Sequence, residues 1–267
     1  AIELVSELAA ADAARPNIIY IMVDDLGYGD LGCFGQKVIQ TPNLDRMAAE
    51  GMRLTDHYAG HTVCRPSRLV LWLGQHVGHT GLTGNRARSL TSTEPTVAKA
   101  LKNVGYATGG VGKWALGNVN EPSEINNAGH PNKNGFDYWF ATANNANPSH
   151  LNPVNFVRNG KRLGQLKGYA CQLVVDEAIH WLEKERDPKK PFFLNLWFHE
   201  PHAPIAAPNE LVKPYGPLKN PGAIYSGTID NTDRAIARLL KKLHAIDKPE
   251  NTIIIYSSDN GSYRPDR

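Results

Sequence analysis

The chain reads as an α/β protein: an open, mostly parallel sheet with helices packed on both faces. Three observations predict this. The apolar run Asn17–Val23 (NIIYIMV) is continuous rather than alternating, which is the pattern of a strand buried on both faces; Phe192–Phe198 reads as another strand and Asn251–Tyr256 (NTIIIY) as the final buried one. Segments with helix caps and helical apolar spacing fall between them. Strands and helices alternate from Asn17 to Asn260 with no fixed-period repeat and no low-complexity tract, which favours a single wound sheet.

Composition supports a folded domain and removes several functions. With 267 residues, 41% hydrophobic and 21% charged, the chain can bury one large core. The formal net charge is only +3 and no dense run of lysine and arginine occurs, so a nucleic-acid groove is not indicated. Cys33, Cys64 and Cys171 form neither an even set nor a Cys-x-x-Cys pair, which argues against a disulfide scaffold and a zinc ribbon. No apolar run reaches the length of a membrane span. Ala1 to Arg15 carries acidic residues where a signal peptide would be basic. We read residues 1–15 as a short amphipathic leader and 16–267 as one α/β domain.

The elements follow in order. After the first strand, Thr41-Pro42 offers a cap and a first-turn proline, Leu44, Met47 and Ala48 share a helical face, and Gly51 closes the helix. Arg53 to Tyr58 is expected as the next strand. A helix is expected from Pro66 to about Leu73, stopped by Gly74. Thr93 and Pro95 signal another capped helix through Leu101, and Tyr106 to Val111 a short strand. Residues Asn118 to Asn159 are rich in Asn, Pro, Gly and His, with Phe136, Tyr138, Trp139 and Phe140 as the one apolar cluster; this reads as a long irregular segment of the kind that carries function. Val174, Ala178, Trp181 and Leu182 mark a helix whose Trp181 belongs to the core, and Ile236, Leu239, Leu240 and Leu243 mark the last one.

Chemistry-bearing residues collect at strand ends. Asp24-Asp25, Lys113, His199-Glu200-Pro201-His202 and Asp259-Asn260 each directly follow an expected strand, and parallel strands bring such ends to one edge, where α/β proteins bind ligands. Three aspartates and an asparagine offer hard oxygen donors suited to calcium or magnesium rather than zinc. Arg68, Lys113 and the histidines supply positive charge opposite them. A tetrahedral oxyanion between a divalent cation and a basic cluster fits sulfate or phosphate ester cleavage. Cys64 precedes Pro66 at a helix start, where converging N–H groups are expected to lower a thiol pKa and ready a nucleophile. Asn144, Asn145 and His150 beside the aromatics, with His199, are candidates for sugar recognition.

At these residues the sequence resembles the type I sulfatases, the formylglycine-dependent branch of the alkaline phosphatase superfamily. Cys64-Arg65-Pro66-Ser67-Arg68 matches that family's Cys-x-Pro-Ser-Arg signature. The Val-Asp-Asp-Leu-Gly, Thr-Pro-Asn-Leu-Asp, Gly-Lys-Trp, Pro-His-x-Pro and Ser-Asp-Asn-Gly segments follow in the family's order between Pro16 and Gly261. The resemblance implies that a maturation enzyme, formylglycine-generating or equivalent, oxidises Cys64 to formylglycine. Its hydrate would attack the ester sulfur and then expel sulfate through the aldehyde. It further implies calcium, ahead of magnesium, on Asp24, Asp25, Asp259 and Asn260. Arg68 would orient the hydrate, Lys113 would hold sulfate oxygens and His202 would assist the leaving oxygen. A sulfated carbohydrate is the implied substrate, and a periplasmic, extracellular or lysosomal location is the expectation for such enzymes.

The chain departs from the pattern twice within these motifs. Gly-Lys-Trp-His-Leu-Gly is usual, but Ala115 stands where the histidine would hydrogen-bond and help break down the sulfated intermediate; losing one positioned acid/base group costs on the order of 10²- to 10⁴-fold. Leu73-Gly74 replaces the usual Thr-Gly. The family's small C-terminal subdomain is not contained in these 267 residues. Two alternatives follow: an impaired module that binds sulfated glycan, and a phosphate ester hydrolase of the same superfamily. Phosphate enzymes usually present serine or threonine with two zinc ions, so Cys64 and a single oxygen-donor set point away from the latter.

Overall fold

A computed structural model of the chain describes residues 15–81, 88–119, 128–246 and 249–262. The expected leader, apart from Arg15, lies outside the described residues. Seven strands organise the rest: β1 (Asn17–Asp24), β2 (Ala107–Lys113), β3 (Tyr138–Thr142), β4 (Val157–Arg158), β5 (Lys161–Arg162), β6 (Phe192–Pro201) and β7 (Thr252–Ser258). They form one sheet in the order β5-β4-β3-β2-β6-β1-β7. The pairs from β3 to β7 are parallel, and the β3–β4 and β4–β5 pairs, formed by the two short strands, are antiparallel. This is the open, mostly parallel sheet that the continuous apolar runs predict.

Helices cover both faces. They are α1 (Pro42–Glu50), α2 (Cys64–Leu73), α3 (Val77–Thr80), α4 (Val97–Asn103), α5 (Ala170–His180), α6 (Asn209–Val212) and α7 (Pro221–Ile246). One core joins Phe192, Leu194 and Leu196 of β6 to α5 and α7 through Val174, Trp181, Ile236 and Leu239. The opposite core joins Phe193 and Trp197 of β6 to α2 and α4 through Leu69, Trp72 and Ala98. Alternate residues of one strand thus feed two cores, which is why β6 is buried at every position. Trp181 lies flat on β2, where a Cβ at Gly109 would sit 2.7 Å from the indole.

Several elements differ from the sequence reading. Arg53–Tyr58 is not a strand: it joins no sheet among the described residues, and Met52 and Tyr58 are 85% and 81% exposed. Alternating apolar residues make a strand only when a neighbour covers one face. The helix expected at Pro66 begins at Cys64, with Val63 as N-cap; proline is still tolerated in this first turn because its missing N–H would have had no intrahelical partner. The helix expected from Thr93 begins at Val97, where the Thr96 hydroxyl accepts from the Lys99 N–H. The segment expected to be irregular contains β3, all of it buried, because its aromatic cluster faces both cores. The last helix starts at Pro221, well before its apolar periodicity becomes clean.

Candidate active site

The strand ends do converge. β1 ends in Asp24, and Asp25 takes a left-handed turn (φ 65°) that aspartate tolerates better than most residues. β7 delivers Asp259 and Asn260 beside it: the Asp259 N–H donates to the Val23 carbonyl (3.2 Å), the Asp25 N–H to Asp259 Oδ1 (3.2 Å), and Asn260 Nδ2 to Asp25 Oδ1 (2.6 Å). β2 ends in Lys113, whose Nζ lies 2.5 Å from Asp24 Oδ2. Gly112 precedes it with φ 104°, and a Cβ there would collide with the Trp197 carbonyl at 1.7 Å, so only glycine permits β2 to close on β6.

The first turn of α2 points at this cluster. Oxygens of Asp24 and Asp259 and the Cys64 Sγ all lie within 4.8 Å of one another. Arg68, one turn further, is fully buried. Its Nε donates to Asp259 Oδ2 (2.9 Å) and its Nη1 to the Lys113 carbonyl (3.2 Å). Nη2 lies 2.8 Å from Asp259 Oδ2 and 3.5 Å from Asp24 Oδ1, off the hydrogen-bond direction. The guanidinium also sits over the Trp197 ring at 4.9 Å, a cation–π contact shielded from water.

Burial and charge shift these groups in different directions. Burial alone would raise Asp24, but Lys113 and Arg68 outweigh it and hold the carboxyl well below the usual range. Asp259 is pushed up to about 7, by burial first and then by Asp24. Asp25 is raised by the same two causes. The thiol of Cys64 is raised, not lowered as its helix-start position suggests: burial dominates, and Asp24 and Asp259 oppose the help from Lys113 and Arg68. A thiolate next to two carboxylates is disfavoured whatever the helix dipole contributes.

The acidic set fits a hard divalent cation. Asp24 Oδ1 and Asn260 Oδ1 are buried and have no hydrogen-bond partner, and Asp25 and Asp259, both raised by burial and then by Asp24, converge with it on one point. Oxygen donors of this kind suit calcium or magnesium.

The remaining site residues divide by depth. His202 is half-buried at the rim, with Nε2 3.5 Å from Asp25 Oδ2 and Nδ1 2.6 Å from the Ala203 carbonyl. Asn144 is exposed. Asn145 is half-buried and donates to the Ala203 carbonyl (3.3 Å). His150 and His199, expected at a sugar, are 1% and 0% exposed and lie beneath the surface, where they offer no open edge to a carbohydrate. Burial lowers both imidazoles, so each is neutral. Glu200 is structural: Oε1 accepts from the Cys171 N–H (2.8 Å) and Oε2 from the His199 N–H (3.2 Å). β6 bulges here, since Met22 pairs with Trp197 but Asp24 with Pro201, and the bulge presents His202 to the site. Sequence reasoning missed Thr142, which stands opposite Lys113 in the β2–β3 register; no local motif marks it.

Comparison with known proteins agrees with this arrangement. A family model described as Sulfatase matches residues 16–266. The N-acetylgalactosamine-6-sulfatase of Canis lupus familiaris is 30% identical over 96% of this chain and 52% of its own length. The N-acetylglucosamine-6-O-sulfatase of Bacteroides thetaiotaomicron is 35% identical over 72% of this chain and 31% of its own. Among solved structures, the crystal structure of Ps i-CgsB superposes with a TM-score of 0.82 at 30% identity, over 93% of this chain and 59% of that one. The chain spans about half the length of the curated sulfatases that it matches along most of its own. It belongs to the sulfatase family.

Proposed function

We propose that this chain supplies the ester-cleaving centre of a sulfuric ester hydrolase acting on a sulfated carbohydrate, with Cys64 as the formylglycine precursor and calcium as the cation. One observation carries the reading: Cys64 Sγ stands at the first turn of α2 within 4.8 Å of carboxyl oxygens of Asp24 and Asp259, with Arg68 and Lys113 beside it. The relatives' names, sulfatases of 6-sulfated amino sugars, support a glycan substrate.

Formylglycine would supply a nucleophile able to release sulfate again, and calcium a counter-charge for the sulfate oxygens. Asp24, Asp25, Asp259 and Asn260 would hold the cation. With the carboxylates so engaged, Lys113 Nζ, now on Asp24, becomes available to hold a sulfate oxygen. Arg68 keeps residue 64 oriented from a fixed, buried position. His202, at the rim, is placed to give a proton to the leaving sugar oxygen. Exposed Asn144 and half-buried Asn145 border the same rim and would meet the sugar. The reading includes a maturation enzyme as partner and a location outside the cytosol; among the described residues no helix is long and apolar enough to cross a membrane.

Ala115 favours a second reading, in which the module binds sulfated glycan but turns over slowly. Its side chain is buried at the site's edge and carries no acid or base. Ala115→His raises turnover about tenfold or more if this is so, and leaves an already fast rate unchanged if it is not.

Peptide mass spectrometry on protein co-expressed with a formylglycine-generating enzyme tests the main reading. Conversion of the Cys64 thiol to an aldehyde is expected, and a persistently unmodified thiol under those conditions would count against it.

A further inference from the structure

We infer that His199 is a positioning residue: through Thr142 it latches the end of β3 and so fixes the left-handed turn at Ala115 beside Lys113. This role rests on the sulfatase reading above.

One hydroxyl hydrogen sets the donor directions. Thr142 Oγ donates to the Asn144 carbonyl, and a carbonyl can only accept. The hydroxyl oxygen therefore accepts from His199 Nε2, 2.7 Å away, which places the proton of this neutral ring on Nε2. His199 Nδ1 is buried without a hydrogen-bond partner, so no second polar contact competes for the ring, and Phe156 packs against it edge-on at 5.2 Å.

Thr142 in turn holds the stretch after β2. Its carbonyl accepts the Trp114 N–H (2.9 Å), and the Ala143 carbonyl accepts the Ala115 N–H (3.1 Å). Ala115 has φ 59°, a conformation unfavourable for alanine that persists only where neighbours enforce it. Lys113 immediately precedes this stretch. Its carbonyl receives Arg68 Nη1 at 3.2 Å and its Nζ faces Asp24. Loosening the end of β3 would shift both cations at once. His199 itself is fully buried and acts only through Thr142.

His199→Phe keeps the ring volume and removes the donor. It is expected to lower kcat/KM for a sulfate ester by about 10- to 100-fold, as for other residues that orient active-site groups. Thr142→Val should have a similar effect, and the double variant little more, because both cut one connection. His199→Gln, whose amide can still donate to Thr142, should recover most of the rate. In the His199→Phe background, Ala115→Gly should recover part, since glycine adopts that turn freely; a histidine that merely fills space would not respond to residue 115. Independently of turnover, nitrogen NMR should show His199 as the Nε2–H tautomer, with a slowly exchanging proton that Thr142→Val perturbs. An Nδ1–H tautomer, a fully active His199→Phe, or a defect indifferent to Ala115→Gly would overturn the latch. Wild-type protein with the expected tautomer but no sulfate release would instead overturn the sulfatase reading and leave the latch supported.

Discussion

The two halves of the site solve burial in opposite ways. On one side, Asp24, Asp259, Lys113 and Arg68 are all buried and ionisable, and each carboxyl meets a basic group: Lys113 on Asp24 at 2.5 Å and Arg68 on Asp259 at 2.8 Å. On the other, His150 and His199 are equally buried, burial lowers both imidazoles, and their polar contacts are sparse: His199 Nδ1 lacks a hydrogen-bond partner and His150 Nδ1 lies 3.9 Å from Glu200 Oε1. The charged half is strong only while complete, because removing one partner leaves a desolvated charge. The histidine half is already incomplete, so losing a ring nitrogen there costs little unless that nitrogen has a task.

The largest expected effect tests what the charged half is for. Cys64→Ala should lower sulfate release by about 10⁴-fold or more, as when a nucleophile is removed from an acyl-transfer site, while binding of inorganic sulfate measured by calorimetry persists. Next comes the charge balance. Arg68→Met leaves Asp259 buried without its cation and should destabilise the protein by about 3–5 kcal/mol in denaturant unfolding. A loss under ~1 kcal/mol would show that the pair is solvated in solution.

The pH dependence separates the carboxylates. In the chelated protein Asp259 is held at about 7, against about 3.9 for an unfolded aspartate. The folded state binds the extra proton across that window, so this contribution to stability falls as pH rises from about 4 to about 7. Asp24 has the opposite sign: its depressed carboxyl stabilises above the unfolded pKa, and that contribution is lost as pH falls below about 4. A divalent cation held by these oxygens would favour the ionised carboxylates, so on the proposed reading calcium should raise the melting temperature more at pH 8 than at pH 5. An equal shift at both values would place the ion elsewhere.

The smallest effect belongs to the histidine half. His150 Nδ1 lies 3.9 Å from Glu200 Oε1, beyond hydrogen-bond length, so His150→Leu removes only a long contact and should change stability by less than about 1 kcal/mol. A large loss would reveal a contact that the charged half alone was thought to need.

The frame was legible in the sequence because β1 and β6 announce themselves: long apolar runs that end at aspartate or histidine have few other meanings in a parallel sheet, whereas β7, expected to be buried on both faces, is an edge strand with Ile253 and Ile255 48% and 41% exposed. The same logic brought Asp24, Asp259 and Lys113 to one edge before any coordinates. It failed where the deciding neighbour is remote. Arg53–Tyr58 follows a closed helix, where a strand is expected, but has no strand beside it among the described residues. The Cys64 thiol looked activated by its helix, yet two aspartates from distant strands reverse the direction. His150 and His199 read as sugar-binding candidates because each lies in a polar, proline-rich stretch, yet both are buried, His199 beneath the bulge in β6 and against Phe156. The contact between Thr142 and His199 spans 57 positions and has no local signature.

If the Cys64 cluster cleaves sulfate esters as proposed, calcium-loaded protein whose residue 64 has been verified as the aldehyde should release inorganic sulfate from sulfated glycans. That release should be abolished by chelation and by Cys64→Ala. No release from any sulfate ester, or equal release by Cys64→Ala, would contradict the proposal.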